Sequence, residues 1–468
     1  MNSLPSNPPL VNVIPPILFI FPMPVTKEEL LKEAQKWSRI APPYHAFYHG
    51  KVEVMPTCAI RTLQDFSIWY TPGVAQVCKD IEKQNELAYE ETSKWNYVAV
   101  VSDGTRVLGL GDIGGQAGMP VMEGKALIFK YLGGVDAFPI CLSTKNPEEI
   151  IQAVKWIEPS FGGVNLEDFS SPKCFYILDR LRKEMPIPVW HDDQQGTAAV
   201  ILAGTINALK YVGKKLNTAK FTIVGTGAAN TRTFYVLEAA GVKPKNIIMT
   251  DSTGTLHTGR KDLEGTYKWD LAKKTNPDCV EGGIKEAAEG SDILIAASKP
   301  GPGVITKEDI QGMADDSIVF ACANPIPERW PWEAKEAGVK VMATGRSDFP
   351  NQVNNSLVFP AIFRGALDVR AKTITDEMCI ASASALARYA EDKGLTEDYI
   401  IPSMDEWEIY PLQAAETGMK AIQQGLARKK ASRDELYGRA EAIIGRTQKV
   451  VKMLMEQGFI EPPPPEPR

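Results

Sequence analysis

The sequence is poor in the residues that cross-link chains or bind soft metals. Its 468 residues include only seven cysteines and four histidines. The cysteines are scattered, and none of them forms a CxxC pair. An odd, dispersed set of this kind is typical of reduced thiols, so neither a disulfide framework nor a zinc site is indicated. We therefore expect a cytoplasmic protein.

Long apolar runs are also missing. The stretch 11–21 is mostly apolar, but it contains Pro15 and Pro16 and is shorter than the roughly 20 residues of a transmembrane helix. No Lys or Arg precedes Lys27, so a signal peptide is not indicated either. We interpret residues 1–25 as a disordered or mis-called extension. The proline-rich tail 461–468 has no capacity to form a core.

An excess of positive charge is absent as well. The formal net charge is −6, which argues against a nucleic-acid surface. Apolar residues make up 44% of the chain, the normal share for a globular protein. The length predicts two or three domains. The net charge and the lack of long apolar runs leave a small-molecule substrate as the expected partner, with neither a membrane nor a nucleic acid.

Alternating strand and helix patterns predict an α/β fold. Apolar runs at Tyr97–Val101, Val135–Leu142 and Gly163–Leu166 indicate buried strands. The segment Pro147–Ile157 is amphipathic and indicates a helix that covers them. We expect an N-terminal α/β catalytic domain at 26–212, which ends in the small-residue helix Thr197–Tyr211.

The same alternation of strands and helices begins again after the boundary at 213–217. Strands are predicted at Lys220–Val224, Asn246–Thr250, Asp292–Ala296 and Ser317–Ala321, and a helix at Thr231–Ala240. This order predicts a doubly wound, Rossmann-type dinucleotide-binding domain at 213–370. The region 371–460 is mostly helical in pattern, and we expect it to pack on the first domain.

A glycine loop lies between the first strand and helix of the second domain. Gly225 and Gly227 have GxG spacing, which permits a tight turn and lets a pyrophosphate approach the helix N-terminus near Ala228 and Ala229. Asn230 occupies the third position, where a glycine or alanine is usual. Asp251 follows the next strand, at the place of an acid that binds the ribose. We expect these residues to bind a nicotinamide cofactor.

The choice between the two nicotinamide cofactors stays open. Asp251 favours an unphosphorylated ribose and hence NAD. Arg260 and Lys261 lie nearby in sequence and could instead accept the 2′-phosphate of NADP.

Two acidic pairs follow strands of the first domain. Glu167 and Asp168 come after one strand, and Asp192 and Asp193 follow a short apolar run that ends at Trp190. The carboxyl ends of parallel strands meet at one edge of a sheet, where α/β proteins build their sites. Several convergent carboxylates favour Mg²⁺ or Mn²⁺.

Two further residues have acid–base potential. Tyr70 lies on a rigid turn, where it could act as a general acid. Lys125 begins an apolar stretch, and desolvation there would lower its pKa toward neutrality, as a general base requires. The histidines contribute little: His45 and His49 are interpreted as structural, and His191 only neighbours an acidic pair.

Together these motifs resemble the malic enzyme family, in particular its shorter prokaryotic type. The resemblance extends from about Arg61 to Asp368. It is carried by seven ordered segments: Trp69–Ala75, Val101–Gly114, Pro120–Phe129, Asn165–Phe169, His191–Ala198, Ala323–Glu328 and Ala343–Pro360. The departures from the family pattern are Asn230 and the segment Ser298–Pro300, and both concern the cofactor side.

The resemblance implies a role for each position. Tyr70 would be the general acid, Lys125 the general base and Asp192 the acid beside it. Arg106 would hold the substrate carboxylate. The remaining implied roles are metal ligation by Glu167, Asp168 and Asp193, and contact with substrate and nicotinamide by Asn324 and Asn355. The family also implies a homodimer or larger homo-oligomer.

The implied reaction is the metal-dependent oxidation of malate by NAD or NADP, followed by decarboxylation to pyruvate. Oxaloacetate decarboxylation would accompany it. Three alternatives remain: a malolactic-type enzyme that releases lactate, an amino-acid dehydrogenase, and a non-catalytic NAD-sensing protein. The last would be expected to lose its acid–base residues first, yet these are present.

Overall fold

The computed structural model describes residues 27–467, so the extension interpreted at 1–25 lies outside the described residues. Helix α1 (Lys27–Tyr48) is followed by a segment with little regular structure. The proline-rich tail lies against α1, because the Tyr48 hydroxyl donates to the Glu461 carbonyl at 2.8 Å and Lys36 pairs with Glu466 at 3.2 Å.

The first sheet has four parallel strands in the order β2-β1-β3-β4. Its strands are β1 (Tyr97–Ser102), β2 (Asp136–Cys141), β3 (Gly163–Leu166) and β4 (Val189–His191). The helices of this part are α2 (Asp65–Trp69), α3 (Val74–Lys83), α4 (Ala88–Glu91), α5 (Gly114–Gly133), α6 (Pro147–Ile157), α7 (Lys173–Glu184) and α8 (Thr197–Tyr211). Strands β3 and β4 are fully buried, as expected for a parallel sheet with helices on both faces.

The second sheet has six strands in the order β10-β9-β8-β5-β6-β7, all parallel except β7. They are β5 (Phe221–Val224), β6 (Ile247–Asp251), β7 (Gly254–Thr255), β8 (Ile293–Ala296), β9 (Ile318–Ala321) and β10 (Val341–Thr344). The helices are α9 (Ala228–Ala239), α10 (Tyr267–Lys274), α11 (Ile284–Ala288), α12 (Lys307–Gln311), α13 (Pro331–Glu336) and α14 (Phe359–Asp368). The α/β fold with a Rossmann-type sheet is confirmed.

Three longer helices complete the chain: α15 (Asp376–Lys393), α16 (Ile409–Gln423) and α17 (Arg433–Glu456). Helix α17 packs on the end of α5, where a Cβ at Gly134 would lie only 2.4 Å from Cγ2 of Ile443. Asn207 of α8 donates to the carbonyls of Ala387 and Ile400 at 2.8 and 2.9 Å. Both contacts are with helices that belong to the first part of the chain.

Each strand named in the sequence analysis is present within two residues of its predicted bounds. The glycine-loop helix was predicted to begin at Thr231, and this is wrong, because α9 begins at Ala228. Strands β7 and β10 were not predicted. Within residues 27–467, no helix is both long and apolar enough to cross a membrane.

Candidate active site

The carboxyl ends of the two parallel sheets border a single cavity of about 750 Å³. Such crevices are where open α/β sheets bind their ligands. Its lining includes most of the site residues predicted from sequence: Arg106, Lys125, Glu167, Asp168, Asp193, Gly225, Gly227, Ala228, Ala229, Asn324 and Asn355.

Three carboxylates converge on the wall of the first sheet. Glu167 and Asp168 follow β3, and Asp193 lies in a π-helical turn (Asp192–Gly196) between β4 and α8. One oxygen of each lies within 4.8 Å of the others. The two loops are joined directly, because the backbone N–H of Asp168 donates to Oδ2 of Asp193 at 2.8 Å. Wide helical turns of this type recur at functional sites.

The negative charges of these three carboxylates are only partly balanced by neighbouring cations. Burial, reinforced by Asp193, raises the pKa of Asp168 to about 8. Burial also raises the pKa of Glu167 and of Asp193. Oδ2 of Asp168 is buried and has no hydrogen-bond partner among the described residues. An all-oxygen donor set with an orphaned acceptor fits a hard divalent cation, which would offset the mutual repulsion.

Lys125 of α5 lies beside these acids. Its Nζ contacts Oδ2 of Asp192, lies 3.2 Å from Oε1 of Glu167 and donates to Oδ1 of Asn355 at 3.2 Å. It also lies 4.6 Å from the ring centroid of Phe359. Four groups therefore fix the position of this amine.

The expected pKa of Lys125 is wrong in direction. Burial alone lowers it, but Asp192 and Glu167 outweigh burial and hold the pKa above its ordinary value. The sequence argument counted desolvation and could not count the carboxylates that the fold brings to the amine. In this structure Lys125 is an ion-paired ammonium group.

Asp192 does not line the cavity but lies directly behind Lys125. It is fully buried and accepts from the Trp190 indole N–H at 3.2 Å as well as from the lysine. A Cβ at Gly196 would lie 2.0 Å from Oδ1 of Asp192, so only glycine leaves room for this carboxylate. Trp190 and Gly196 thus position the acid that holds the lysine.

Two further polar residues face the same cavity. Arg106 follows β1, and its backbone N–H donates to the Asp168 carbonyl at 2.9 Å, which ties its loop to the acids. Its side chain is exposed toward the cavity. Asn324 follows β9 on the opposite wall. A guanidinium and an amide on facing walls could hold a small carboxylate between them.

The glycine loop enters the cavity from the second sheet. Gly225 has φ +94°, which favours glycine, and a Cβ there would lie 3.0 Å from the Ser298 Cβ. Gly227 precedes the first residue of α9, so the positive end of that helix faces the cavity.

Asn230 is not part of the lining. It is fully buried, and its amide donates to the carbonyls of Val224 and Gly225 at 2.7 and 3.1 Å. The departure from the usual glycine or alanine therefore has a structural reason, since Asn230 fastens the end of β5 to α9.

Asp251 at the end of β6 is held by two cations. Arg260 contacts it at 2.8 Å and Lys268 at 2.6 Å. Although burial opposes ionisation, these contacts and Thr253 hold the pKa of Asp251 well below its usual range. Lys261 instead pairs with Glu264 at 3.2 Å and is 76% exposed. The second cation at this acid is Lys268, which no sequence signal identified.

Tyr70 lies outside the cavity, whereas Lys125 lines it and Asp192 contacts Lys125 from behind. The Tyr70 side chain is 73% exposed, and it is absent from the lining. Among the described residues, the histidines contribute no ligand set. His45 is half-buried and bonds the Ala41 carbonyl at 2.7 Å, and His49 lies beyond the end of α1. His191 is fully buried, and burial lowers its pKa to about 3, so it is neutral beside Asp193.

Sequence reasoning missed Glu328. This carboxylate is fully buried and accepts from Ser298 N–H at 2.8 Å and from Ala323 N–H at 2.9 Å. It therefore joins the loops after β8 and β9, which both line the cavity. Its position at the end of the Ala323–Glu328 segment was the available signal.

Two parallel sheets that meet at a cleft, one with a glycine loop before a helix, are the architecture of dinucleotide-dependent oxidoreductases. The family model "Malic enzyme, N-terminal domain" matches residues 49–182, and "Malic enzyme, NAD binding domain" matches residues 194–423. The chain belongs to the malic enzyme family. The resemblance drawn from the motifs is confirmed, and the amino-acid dehydrogenase alternative is set aside.

Individual relatives agree with the family result. The chain is 52% identical over 380 residues to an NAD-dependent malic enzyme of Geobacillus stearothermophilus, covering 81% of this chain and 78% of that protein. It is 48% identical over 384 residues to a bifunctional malic/malolactic enzyme of Bacillus subtilis (strain 168), covering 82% and 93%. The crystal structure of an Entamoeba histolytica malic enzyme superposes with a TM-score of 0.92 at 45% identity, covering 95% and 93%.

Proposed function

We propose that this chain oxidises (S)-malate with NAD or NADP and decarboxylates the product to pyruvate and carbon dioxide. One observation carries the proposal: the amine of Lys125 touches Asp192 and lies 3.2 Å from Glu167, in the cavity that also receives the glycine loop. A lysine–aspartate pair able to transfer a proton, an acidic cluster and a dinucleotide loop thereby share one space.

Glu167, Asp168 and Asp193 would hold Mg²⁺ or Mn²⁺. When bound, the cation supplies Lewis-acid polarisation of the substrate's oxygens, and the oxidised nicotinamide supplies the hydride acceptor. Malate is a dianion, so the guanidinium of Arg106 offsets one carboxylate charge and orients the molecule. Asn324 and Asn355 bind polar groups of substrate and nicotinamide.

Lys125 and Asp192 act as one unit in the oxidation. The Lys125 ammonium passes one proton to Asp192 as it takes the proton of the C2 hydroxyl, so the pair gains one proton in total. The C2 hydride leaves to the nicotinamide in the same step, and oxaloacetate forms. The C3–C4 bond then breaks and carbon dioxide leaves. The electron pair of that bond forms the C2=C3 double bond of the enolate of pyruvate. A proton delivered to C3 completes pyruvate, and Tyr70 is the proposed donor.

Because Tyr70 lies outside the cavity, we propose that a second copy of the chain supplies it in a homodimer. Large apolar side chains between residues 52 and 74 are exposed: Val52, Val54, Met55, Ile60, Leu63, Phe66, Ile68, Trp69 and Val74. Contiguous apolar exposure of this kind marks an interaction surface. Leu108 is 51% exposed and also lines the cavity, so a copy that packs there would reach the cavity mouth.

The cluster around Asp251 supports use of both cofactors. Asp251 can accept hydrogen bonds from ribose hydroxyls, which favours NAD. Arg260 and Lys268 offset its charge, so a 2′-phosphate would not meet an uncompensated carboxylate. We propose that NADP is accepted beside NAD for this reason.

The direct test follows reduced nicotinamide absorbance with malate and Mn²⁺, with NAD and NADP in separate reactions, and then measures pyruvate. Reduction with an equal amount of pyruvate is expected. The name of the Bacillus subtilis relative favours a second candidate, malolactic activity, in which lactate accumulates without net cofactor reduction. Tight cofactor binding without any malate-dependent product would contradict both and support the NAD-sensing alternative.

A further inference from the structure

A second cavity, of about 260 Å³, lies away from the catalytic one. It is bordered by α4, the end of α14 and helix α17. Its lining residues are Tyr89, Glu90, Trp95, Leu367, Asp368, Arg370, Lys429, Arg439 and Ile443. Nothing in the proposed reaction uses this space.

Positive charge is in excess around this second cavity. Arg370 pairs with Glu90, and Asp368 accepts from the buried Arg364 at 2.9 Å, so these four charges cancel in pairs. Lys429 and Arg439 also line the cavity. Neither forms a salt bridge with a carboxylate among the described residues, and Arg439 donates to the Asp368 carbonyl at 3.3 Å. Two cations without a direct ion pair thus face one space.

The positive charge of the lining also lowers the pKa of a neighbouring carboxyl group, Glu90. The hydrogen bond from Arg370 lowers the pKa of Glu90, and the charges of Lys429 and Arg439 lower it further. The three cations of the lining therefore act on the same space.

The chemistry of this lining fits a phosphate group. The planar fork of arginine matches phosphate oxygens, and lysine adds a point charge. Tyr89, Trp95 and Ile443 provide an apolar wall beside the cations. The volume leaves space for a small organic substituent on the phosphate.

Helix α14 connects the two cavities. Phe359 at its start lines the catalytic cavity and lies against Lys125, while Leu367 and Asp368 at its end line the second cavity. Every residue of α14 is buried. This close-packed helix offers a continuous path along which a displacement at one end could reach the other.

We propose that the second cavity binds a small phosphorylated anion and that its occupation regulates catalysis through α14. The regulatory part rests on the proposed malate oxidation, whereas the binding part does not. Calorimetry on the full chain would therefore measure binding first, with inorganic phosphate and glycerol 3-phosphate in parallel and saturating NAD present. Sodium chloride at equal ionic strength is the control titrant.

The variant Lys429→Met/Arg439→Met is expected to weaken phosphate binding at least about tenfold. The matched control is Lys430→Met/Arg446→Met, in which both altered side chains are exposed and outside the lining. Glu90→Gln frees Arg370 and is expected to tighten binding about two- to fivefold, which tests the site without removing a cation. Tighter binding of glycerol 3-phosphate than of phosphate would identify an ester as the ligand, and equal binding would identify phosphate itself.

Steady-state kinetics then test regulation. The anion is expected to change kcat or KM for malate by about fivefold or more in the wild-type chain and the control variant, but not in Lys429→Met/Arg439→Met. Absence of saturable binding, or equal binding by the two double variants, would overturn the site. Normal binding with unchanged kinetics in an active enzyme would overturn the regulatory role.

Discussion

Nζ of Lys125 lies 3.2 Å from Oε1 of Glu167, so the lysine of α5 touches the acid cluster that follows β3. This contact joins the proposed base to the proposed metal ligands. A substitution of either residue should therefore shift the pKa of the other.

Replacing Lys125 by alanine is expected to lower kcat at least about 100-fold, because it removes the group that transfers the hydroxyl proton to Asp192. Lys130→Ala is the matched control, since Lys130 lies on the same helix and pairs with Asp136 near the surface. Thermal unfolding and cofactor binding would show that both variants fold. Near-normal turnover of Lys125→Ala would remove this residue from the mechanism.

Removal of the divalent cation by a chelator is expected to abolish decarboxylation of added oxaloacetate, because carbonyl polarisation is lost. Asp193→Asn should also weaken Mn²⁺ binding more than about tenfold. The measurement is the electron paramagnetic resonance signal of unbound Mn²⁺ during a titration. Asp179→Asn, an exposed change on α7, is the control. Full decarboxylation in excess chelator would refute the metal role.

Mixing Tyr70→Phe with Lys125→Ala chains tests whether the site is shared between copies. Each variant alone should lose at least about 100-fold in activity. If a second copy supplies Tyr70, each mixed dimer contains one intact site, and random reassembly restores about a quarter of wild-type activity. Reassembled mixtures that stay inactive, although mixed dimers are detected by mass, would contradict a shared site.

Lys268→Gln is expected to lower the NADP-to-NAD ratio of kcat/KM at least about fivefold, because a charge-assisted contact to the 2′-phosphate is lost. Lys261→Gln is the control, since its side chain pairs with Glu264 rather than Asp251. The measurement is nicotinamide reduction with each cofactor at varied concentration. An equal ratio in both variants would contradict a role of Lys268 in cofactor choice.

Asn230→Ala is expected to destabilise the chain by about 1–3 kcal/mol, because two carbonyls lose a buried donor. The KM for the cofactor should rise while the metal affinity stays unchanged, since Asn230 fastens only the glycine loop. Denaturant unfolding and cofactor titration would measure both effects. Unchanged stability and KM would show that the loop does not depend on this amide.

The sequence by itself determined the order of strands and helices, the glycine loop and the acidic pairs. These features are local, because apolar period, turn residues and strand ends are properties of adjacent residues. The motif order also indicated the family, which the domain matches confirm. Local pattern also indicated which loops border the cavity, since parallel strands place their carboxyl ends together. It did not separate the lining residues from Asp192, Asn230 and Tyr70, which lie outside the lining.

Only the tertiary structure decided the charge state of Lys125, the partners of Asp251 and the exposure of Tyr70. Asp192 and Glu167 lie far from Lys125 in sequence, and their electrostatic effect on its pKa depends on distances that no local pattern encodes. The contact of Lys268 with Asp251 is also not encoded locally, because it depends on how the segment between these two residues folds. Tyr70 shows the converse case, since its motif is local but its proposed partner surface belongs to another copy of the chain.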